Sequence, residues 1–228
     1  DDPEEVLGLA LVPVVRRVDR DGRGDVRVSV GRRDLDAQGA RVRHRRQVVD
    51  GAQLAVEHGS LSVDHLAFLT DEDVEALAGS WADWANGAGK RGTVATVLPA
   101  CDLSTRMPLA PAKRLLEAGA TIAIASNCNP GTSYTNSMSY CVATAVLQMG
   151  LTVQQAVRAA TLGGAIALEM HEDGWADPLG ASQARVGVIS PGSRADLQLL
   201  EAPSVTHLAY RPGMPLTSAV WRKGQRIA

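Results

Sequence analysis

The chain has 228 residues, of which 45% are hydrophobic and 21% are charged, and its formal net charge is -2. This composition is typical of an ordinary globular protein, and the length suits one large domain or two small ones. A charge balance so close to neutral argues against binding to nucleic acids or to membrane surfaces.

The first fifty residues carry three different patterns. Residues 4–17 have apolar positions at helical spacing, although Pro13 should break or kink that helix. Alternating valines over residues 26–30 predict a short strand. Residues 31–50 contain six arginines, and their apolar residues follow neither the helical nor the strand repeat. The acidic N-terminus and its short apolar run argue against a signal peptide or a membrane span.

From residue 51 onward, helical and extended patterns alternate. Thr70, followed by Asp-Glu-Asp, has the pattern of a helix N-cap with early acidic residues, and Thr152 resembles a second cap. We predict helices over residues 51–59, 71–79, 109–118, 135–149 and 152–168. We predict strands over residues 62–69, 93–98 and 121–126, the second of them stopped by Pro99, and a glycine-rich loop over 80–92.

This alternation indicates parallel βαβ units and an α/β fold. A complete (β/α)8 barrel needs about 250 residues. We therefore expect residues 1–185 to form a partial (β/α)8 TIM barrel. Short strands separated by turns predict a small β element over residues 186–228.

The first candidate site is the strand end at Asp64 and His65. In parallel α/β folds, reactive groups lie on the loops that follow the strands, and a histidine there can act as acid, base or metal ligand. The alternative is an ordinary surface histidine. His58, His171 and His207 are interpreted as structural or solvated residues.

The second candidate site begins at Asn127, where an apolar run ends. Asn-Pro-Gly at 129–131 is a turn-forming triplet. If a helix begins near Thr135, the backbone N–H groups of Gly131 and Thr132 would form a cradle for a carboxylate. The alternative is an ordinary capped turn.

The three cysteines are Cys101, Cys128 and Cys141. They form no CxxC pair and no even disulfide framework, so we expect a reducing cytoplasm. The sequence also contains no His-x-His, HExxH, Walker A or GxSxG motif.

Several stretches resemble the imidazolonepropionases of the amidohydrolase superfamily, in the order of that family from Gly51 to the C-terminus. The matching stretches are GAQLAVEHGSLSVDHL, TVATVLP, EAGATIAIASNCNPGTS, SPGSRADLQLL and HLAYRPGMPLTSAVWRKGQRI. The resemblance implies a metal-dependent barrel with a small β-sandwich. It also implies a small-molecule substrate, 4-imidazolone-5-propanoate, hydrolysed to N-formimidoyl-L-glutamate with one zinc or iron ion.

The resemblance also implies roles for individual residues. His65 would take part in proton transfer, and Asn127 stands where the family has an aspartate that binds the metal. We count both as candidate catalytic positions, with Asn127 as the candidate metal position. Asn129, Gly131 and Thr132 would hold the substrate or product.

The sequence departs from the family pattern in its metal ligands. The family's next metal histidine would fall near Val42, and His44 is out of register with it. Because Asn127 is uncharged as well, we expect a degraded metal site and impaired activity. Residues 31–50 have the composition of an out-of-frame translation of GC-rich DNA, which we state as a hypothesis.

Two alternatives to an impaired imidazolonepropionase stay open. One is an inactive remnant or binding protein on the same scaffold, and the other is a related cyclic amidohydrolase. A barrel that lacks strands has open sheet edges, so a homo-oligomer also stays open.

Overall fold

The structure is a computed structural model that describes residues 51–85 and 91–228. The elements predicted over residues 4–17 and 26–30, and the arginine-rich segment 31–50, lie outside the described residues. Within the described ranges, no helix combines the length and apolar composition that a bilayer span requires.

Helices and parallel strands alternate up to about residue 170, and short strands dominate afterwards. The helices are α1 (51–57), α2 (Asp71–Gly79), α3 (Ala82–Ala85), α4 (Pro99–Thr105), α5 (Ala112–Glu117), α6 (Met138–Gln148), α7 (Val153–Arg158), α8 (Gly164–Ala167) and α9 (His207–Tyr210), with a π-helical turn (Ala159–Gly163) between α7 and α8. The strands are β1 (Ser62–Asp64), β2 (Val94–Val97), β3 (Ile122–Ile124), β4 (Trp175–Ala176), β5 (Ser182–Gln183), β6 (Leu197–Leu200), β7 (Thr217–Arg222) and β8 (Gln225–Arg226).

Strands β1, β2 and β3 form a parallel sheet in that order. Asp64 is the register partner of Thr96, and Thr96 is the partner of Ala123, so these three residues form one row across the sheet. Helices connect the strands, as parallel pairing requires. The prediction of parallel βαβ units is therefore confirmed for these three strands.

The two faces of this sheet have different neighbours. The outer face packs against the helices in the main hydrophobic core through Val63, Ala95, Val97, Ile122 and Ile124. The inner face carries the alternate residues Ser62, Asp64, Val94, Thr96 and Ala123. Val94 and Ala123 of this face contact Trp81, Ile166 and Ala167. Each fully buried Val or Ile contributes roughly 1.5–3 kcal/mol, so the outer face fixes the position of the sheet.

Two helix starts agree with the sequence. The Thr70 hydroxyl accepts from the backbone N–H of Asp73, and the Asp73 carboxylate accepts from the backbone N–H of Thr70, which is a complete capping box. Thr152 and Gln155 make the same reciprocal pair at α7. The predicted caps are confirmed, because capping depends on residues only three positions apart.

Other predicted elements differ in extent. The strand predicted over residues 62–69 ends at Asp64. Pro99 stops β2 as predicted, but it also opens α4, because its fixed φ suits the first helical position. The glycine-rich loop contains the short helix α3. The helix predicted over 152–168 is interrupted by the π-helical turn.

The C-terminal region contains the predicted short strands. Strands β6, β7 and β8 form an antiparallel sheet in that order. Before residue 185 the chain also contains the antiparallel pair β4 and β5, which was not predicted. That pair was missed because each strand is only two residues long.

Gly163 and Gly79 provide a matched test of this packing, since both have helical neighbours. A Cβ atom on Gly163 would overlap the backbone oxygen of Ile122, whereas one on Gly79 would meet nothing within 4 Å. We expect Gly163→Ala to lower the free energy of unfolding by about 1–3 kcal/mol or more, because the overlap involves backbone. Gly79→Ala should raise it by up to about 1 kcal/mol.

Urea denaturation of the two variants beside the natural chain measures both effects. Equal stability of the two variants would contradict the close approach of the π-helical turn to β3.

Candidate functional site

The two candidate sites lie at the same edge of the parallel sheet. His65 directly follows β1, and Asn127 is the third residue after β3. One strand, β2, lies between them, so their strand axes are about 10 Å apart. The fold thus brings together the strand end at His65 and the loop that begins at Asn127.

Both strand ends have unusual backbone conformations. His65 and Leu66 have φ values of 74° and 29°, and Asn127 has φ of 53°. Residues other than glycine rarely adopt positive φ, and such conformations cluster at functional sites. Asparagine tolerates the left-handed region better than most residues, which helps to explain the turn at Asn127. No pattern in the sequence predicted these conformations.

The loop after Asn127 is closed by its own hydrogen bonds. Asn129 Oδ1 accepts from the backbone N–H groups of Gly131 and Thr132, each at 2.9 Å. Asn129 Nδ2 donates to the backbone oxygen of Asn127 at 2.6 Å and to Thr132 Oγ1 at 2.9 Å. The backbones of Asn129 and Ser133 form a reciprocal pair. The Asn129 side chain therefore organises the whole turn.

This geometry corrects the predicted carboxylate cradle. Helix α6 begins at Met138, with Ser137 as its N-cap, and not near Thr135. The N–H groups of Gly131 and Thr132 are thus not at a helix start, and the Asn129 side chain already occupies them. The helix-dipole argument was wrong because Ser137 caps the helix. The assignment of Asn129, Gly131 and Thr132 to substrate binding stays a prediction.

The buried Ser133 hydroxyl anchors the far end of this loop. Ser133 Oγ donates to the backbone oxygen of Ser126 at 2.5 Å, and both residues are buried. This bond ties the loop to the chain immediately after β3.

The imidazole of His65 is exposed at the edge of the parallel sheet, although neighbouring protein atoms bury part of the ring. This partial burial lowers the pKa of His65 below its ordinary value of 6.5. The ring is therefore mainly neutral at pH 7 and can accept a proton.

Asp64, which was named with His65 as the first candidate strand end but was given no role, proves to be unusual. Its side chain lies on the inner face, where burial raises its pKa to about 6, and a hydrogen bond with the Thr96 side chain opposes that shift. Oδ1 of Asp64 is buried and has no hydrogen-bond partner within the described part of the chain. The alternation with the outward-facing Val63 could also have predicted that the Asp64 side chain lies on the inner face.

A second buried acid, Asp102, lies in α4 after β2. Burial raises its pKa to about 6, and its Oδ2 accepts from the backbone N–H of Ala110 at 3.3 Å. Its carboxyl therefore holds the connection between α4 and α5, which is a structural role.

The residues of the described ranges do not assemble a metal site. Among residues 51–85 and 91–228, no group of three or more His, Cys, Asp or Glu side chains could hold a metal ion. His65 and the uncharged Asn127 do not constitute such a group. His44, the out-of-register histidine, lies outside the described residues.

Comparison with known proteins shows which proteins the chain resembles. No family model matches the chain. Imidazolonepropionase from Arthrobacter sp. (strain FB24) is 64% identical over 176 residues, which are 77% of this chain and 43% of the relative. Imidazolonepropionase from Paenarthrobacter aurescens (strain TC1) is 53% identical over 243 aligned positions, which cover 99% of this chain and 58% of the relative.

Over the part that it spans, the chain is similar in sequence to imidazolonepropionases. The resemblance read from the sequence is confirmed. The chain spans about half the length of these relatives, with coverages of 43% and 58%.

Solved structures agree on the fold of this imidazolonepropionase relative. An adenosine deaminase from Xanthomonas campestris with bound zinc aligns with a TM-score of 0.58 at 22% identity, covering 83% of this chain and 40% of that chain. An enamidase described as an amidohydrolase-superfamily member aligns with a TM-score of 0.53 at 15% identity, covering 77% and 42%. These likenesses support the α/β fold of the metal-dependent amidohydrolases.

Ser133 tests the anchoring of the loop. We expect Ser133→Ala to lower the free energy of unfolding by about 1–3 kcal/mol, because it leaves the buried oxygen of Ser126 without its donor. The matched control is Ser104→Ala, since the exposed Ser104 donates to a carbonyl of its own helix and should change stability by less than about 0.5 kcal/mol. Urea denaturation measures both. Equal losses would show that Ser133 does not anchor the loop.

Proposed function

We propose that the chain forms the C-terminal part of an imidazolonepropionase-type amidohydrolase. In this proposal it acts on 4-imidazolone-5-propanoate and gives N-formimidoyl-L-glutamate, and Asn127 impairs the reaction. The observation that carries the proposal is the 64% identity with an imidazolonepropionase over 176 residues. The placement of His65 and Asn127 at one sheet edge supports it.

The chemistry is the hydrolytic opening of a cyclic amide, which needs a water molecule to lose a proton as it attacks the ring carbonyl. The neutral imidazole of His65 can accept a proton at this edge. Asn129, Gly131 and Thr132 would bind the substrate's propanoate arm if the ligand competes for the donors now paired inside the loop. In this family zinc or iron would supply an activated water near neutral pH.

The described residues do not fit that metal by themselves. Asn127 offers only a neutral amide oxygen, which cannot accept a proton from water as a carboxylate can. Any further ligands would have to come from outside residues 51–85 and 91–228. No step of the reaction is therefore assigned to the metal here.

The remaining features of the proposal concern organisation. Residues 1–185 would belong to a partial (β/α)8 barrel, and residues 186–228 would supply strands of a β-sandwich. We propose that the protein acts in the cytoplasm and that its partner is a small-molecule substrate. Homo-oligomer formation through an open sheet edge stays an alternative.

A second candidate function is ligand binding without catalysis on the same scaffold. Two observations favour it: Asn127 lacks charge, and the described residues contain no three-ligand metal group. Both candidates retain the loop at 127–133, so they differ only in turnover.

Asn127→Asp discriminates between the two candidates. If Asn127 is what impairs catalysis, the variant should gain bound zinc or iron and should consume 4-imidazolone-5-propanoate about a hundredfold faster or more, since a charged ligand and proton acceptor is restored. Metal analysis and loss of imidazolone absorbance measure the two effects. Asn136→Asp is the matched control, because it adds the same charge at an exposed position nearby.

Each result assigns the chain to one candidate. A gain in Asn127→Asp but not in Asn136→Asp supports the impaired hydrolase. No gain of metal or turnover in either variant rejects it in favour of binding without catalysis.

A further inference from the structure

We propose that Asp64 is a ligand-binding residue of this site and that its Oδ1 accepts a hydrogen bond from an N–H group of a heterocyclic ligand. This inference rests on the proposed function, because it assigns the ligand of that function to one more residue. Asp64 is the last residue of β1 and immediately precedes His65 at the shared sheet edge.

The position of Asp64 on the inner face is set by pairing and alternation. Its register partner is Thr96 on β2, and Val63 beside it packs in the outer core. Because side chains alternate along a strand, the Asp64 carboxyl must lie on the opposite face from Val63. That face is the inner face of the sheet.

The hydrogen bonds of the Asp64 carboxyl are incomplete. The hydroxyl of Thr96 bonds to the side chain, but Oδ1 is buried and has no partner within the described residues. A buried acceptor without a donor costs free energy, and nearly all such atoms in proteins are paired. Within the described residues, no hydrogen bond to Oδ1 offsets this cost.

A purely structural role does not require a carboxyl here. Asparagine in this place would keep the bond with Thr96, since its amide oxygen accepts equally well, and it would carry no buried charge. A residue kept at a cost to stability is expected where it serves function.

The chemistry of the free oxygen selects the ligand. An ionised carboxylate only accepts hydrogen bonds, so Oδ1 needs an N–H or O–H donor. A five-membered ring with N–H groups, as in an imidazolone, supplies such donors. Because Oδ1 of Asp64 is buried in this structure, a ligand must displace the groups that cover this oxygen before it can bind there.

The stability of Asp64→Asn tests whether the carboxyl is structural. The raised pKa means that the carboxyl favours folding below its unfolded value of 3.8, and that this contribution is lost as the pH rises through about 6. At pH 7.5 the folding equilibrium constant of Asp64→Asn should exceed that of the natural chain by roughly a hundredfold. At pH 4 the two should be nearly equal. The control is Asp83→Asn, at an exposed position in α3.

Binding of imidazole-4-propanoate, measured by calorimetry at pH 7.5, tests the ligand role. This probe has a ring N–H group and the anionic arm of the proposed substrate. We expect Asp64→Asn to weaken binding at least tenfold and Asp83→Asn to leave it unchanged.

The possible results separate this inference from the proposed function. A more stable Asp64→Asn with weakened binding supports the ligand role. A less stable or unfolded Asp64→Asn overturns it, because the carboxyl would then be structural. Binding equal to that of the natural chain overturns it while leaving the proposed function standing. If the natural chain does not bind the probe, the proposed function fails and this inference fails with it.

Discussion

Parallel pairing of β1, β2 and β3 is the constraint on which the rest of the structure depends. The pairing sends all three strands toward one edge and leaves their helical connections on the outer face. Apolar side chains such as Val97 and Ile124 then seal that face against the helices. The polar residues of the alternate positions, Asp64 and Thr96, are left to the inner face. The outer face is thus wholly apolar, whereas the inner face combines the packing of Val94 and Ala123 with the polar side chains of Asp64 and Thr96.

The sequence predicts best those features that short stretches of chain determine. The N-caps Thr70 and Thr152 were both predicted, and the structure completes each as a capping box with a reciprocal side chain three residues later. The alternating pattern also locates β1, β2 and β3. The strands prove shorter than predicted because pairing, and not propensity, ends them. The π-helical turn could not be predicted, because it depends on the approach of Gly163 to β3.

The candidate site could likewise be predicted only in part from the sequence. His65 and Asn127 were predicted from their places at strand ends, and the family was recognised from motifs of several residues each. The positive φ values at these ends and the burial of Asp64 arise only when neighbouring strands are in register. The helix predicted to begin near Thr135 begins instead at Met138, because Ser137 caps it in the folded loop. The Asn129 network likewise needed three-dimensional structure to be seen.

The π-helical turn lets this segment hold one extra residue without changing the direction in which the helix beyond it faces. A π-helical turn takes about one residue more than the 3.6 residues of an α-helical turn to complete the same 360°. Deleting one residue from Ala159–Gly163 would therefore restore ordinary helical winding. Ile166 and Ala167 would keep facing Val94 and Ala123, whereas a deletion within the regular α-helix would rotate the residues beyond it by about 100°. The segment is thus expected to tolerate the loss of one residue at this turn better than elsewhere in the helix.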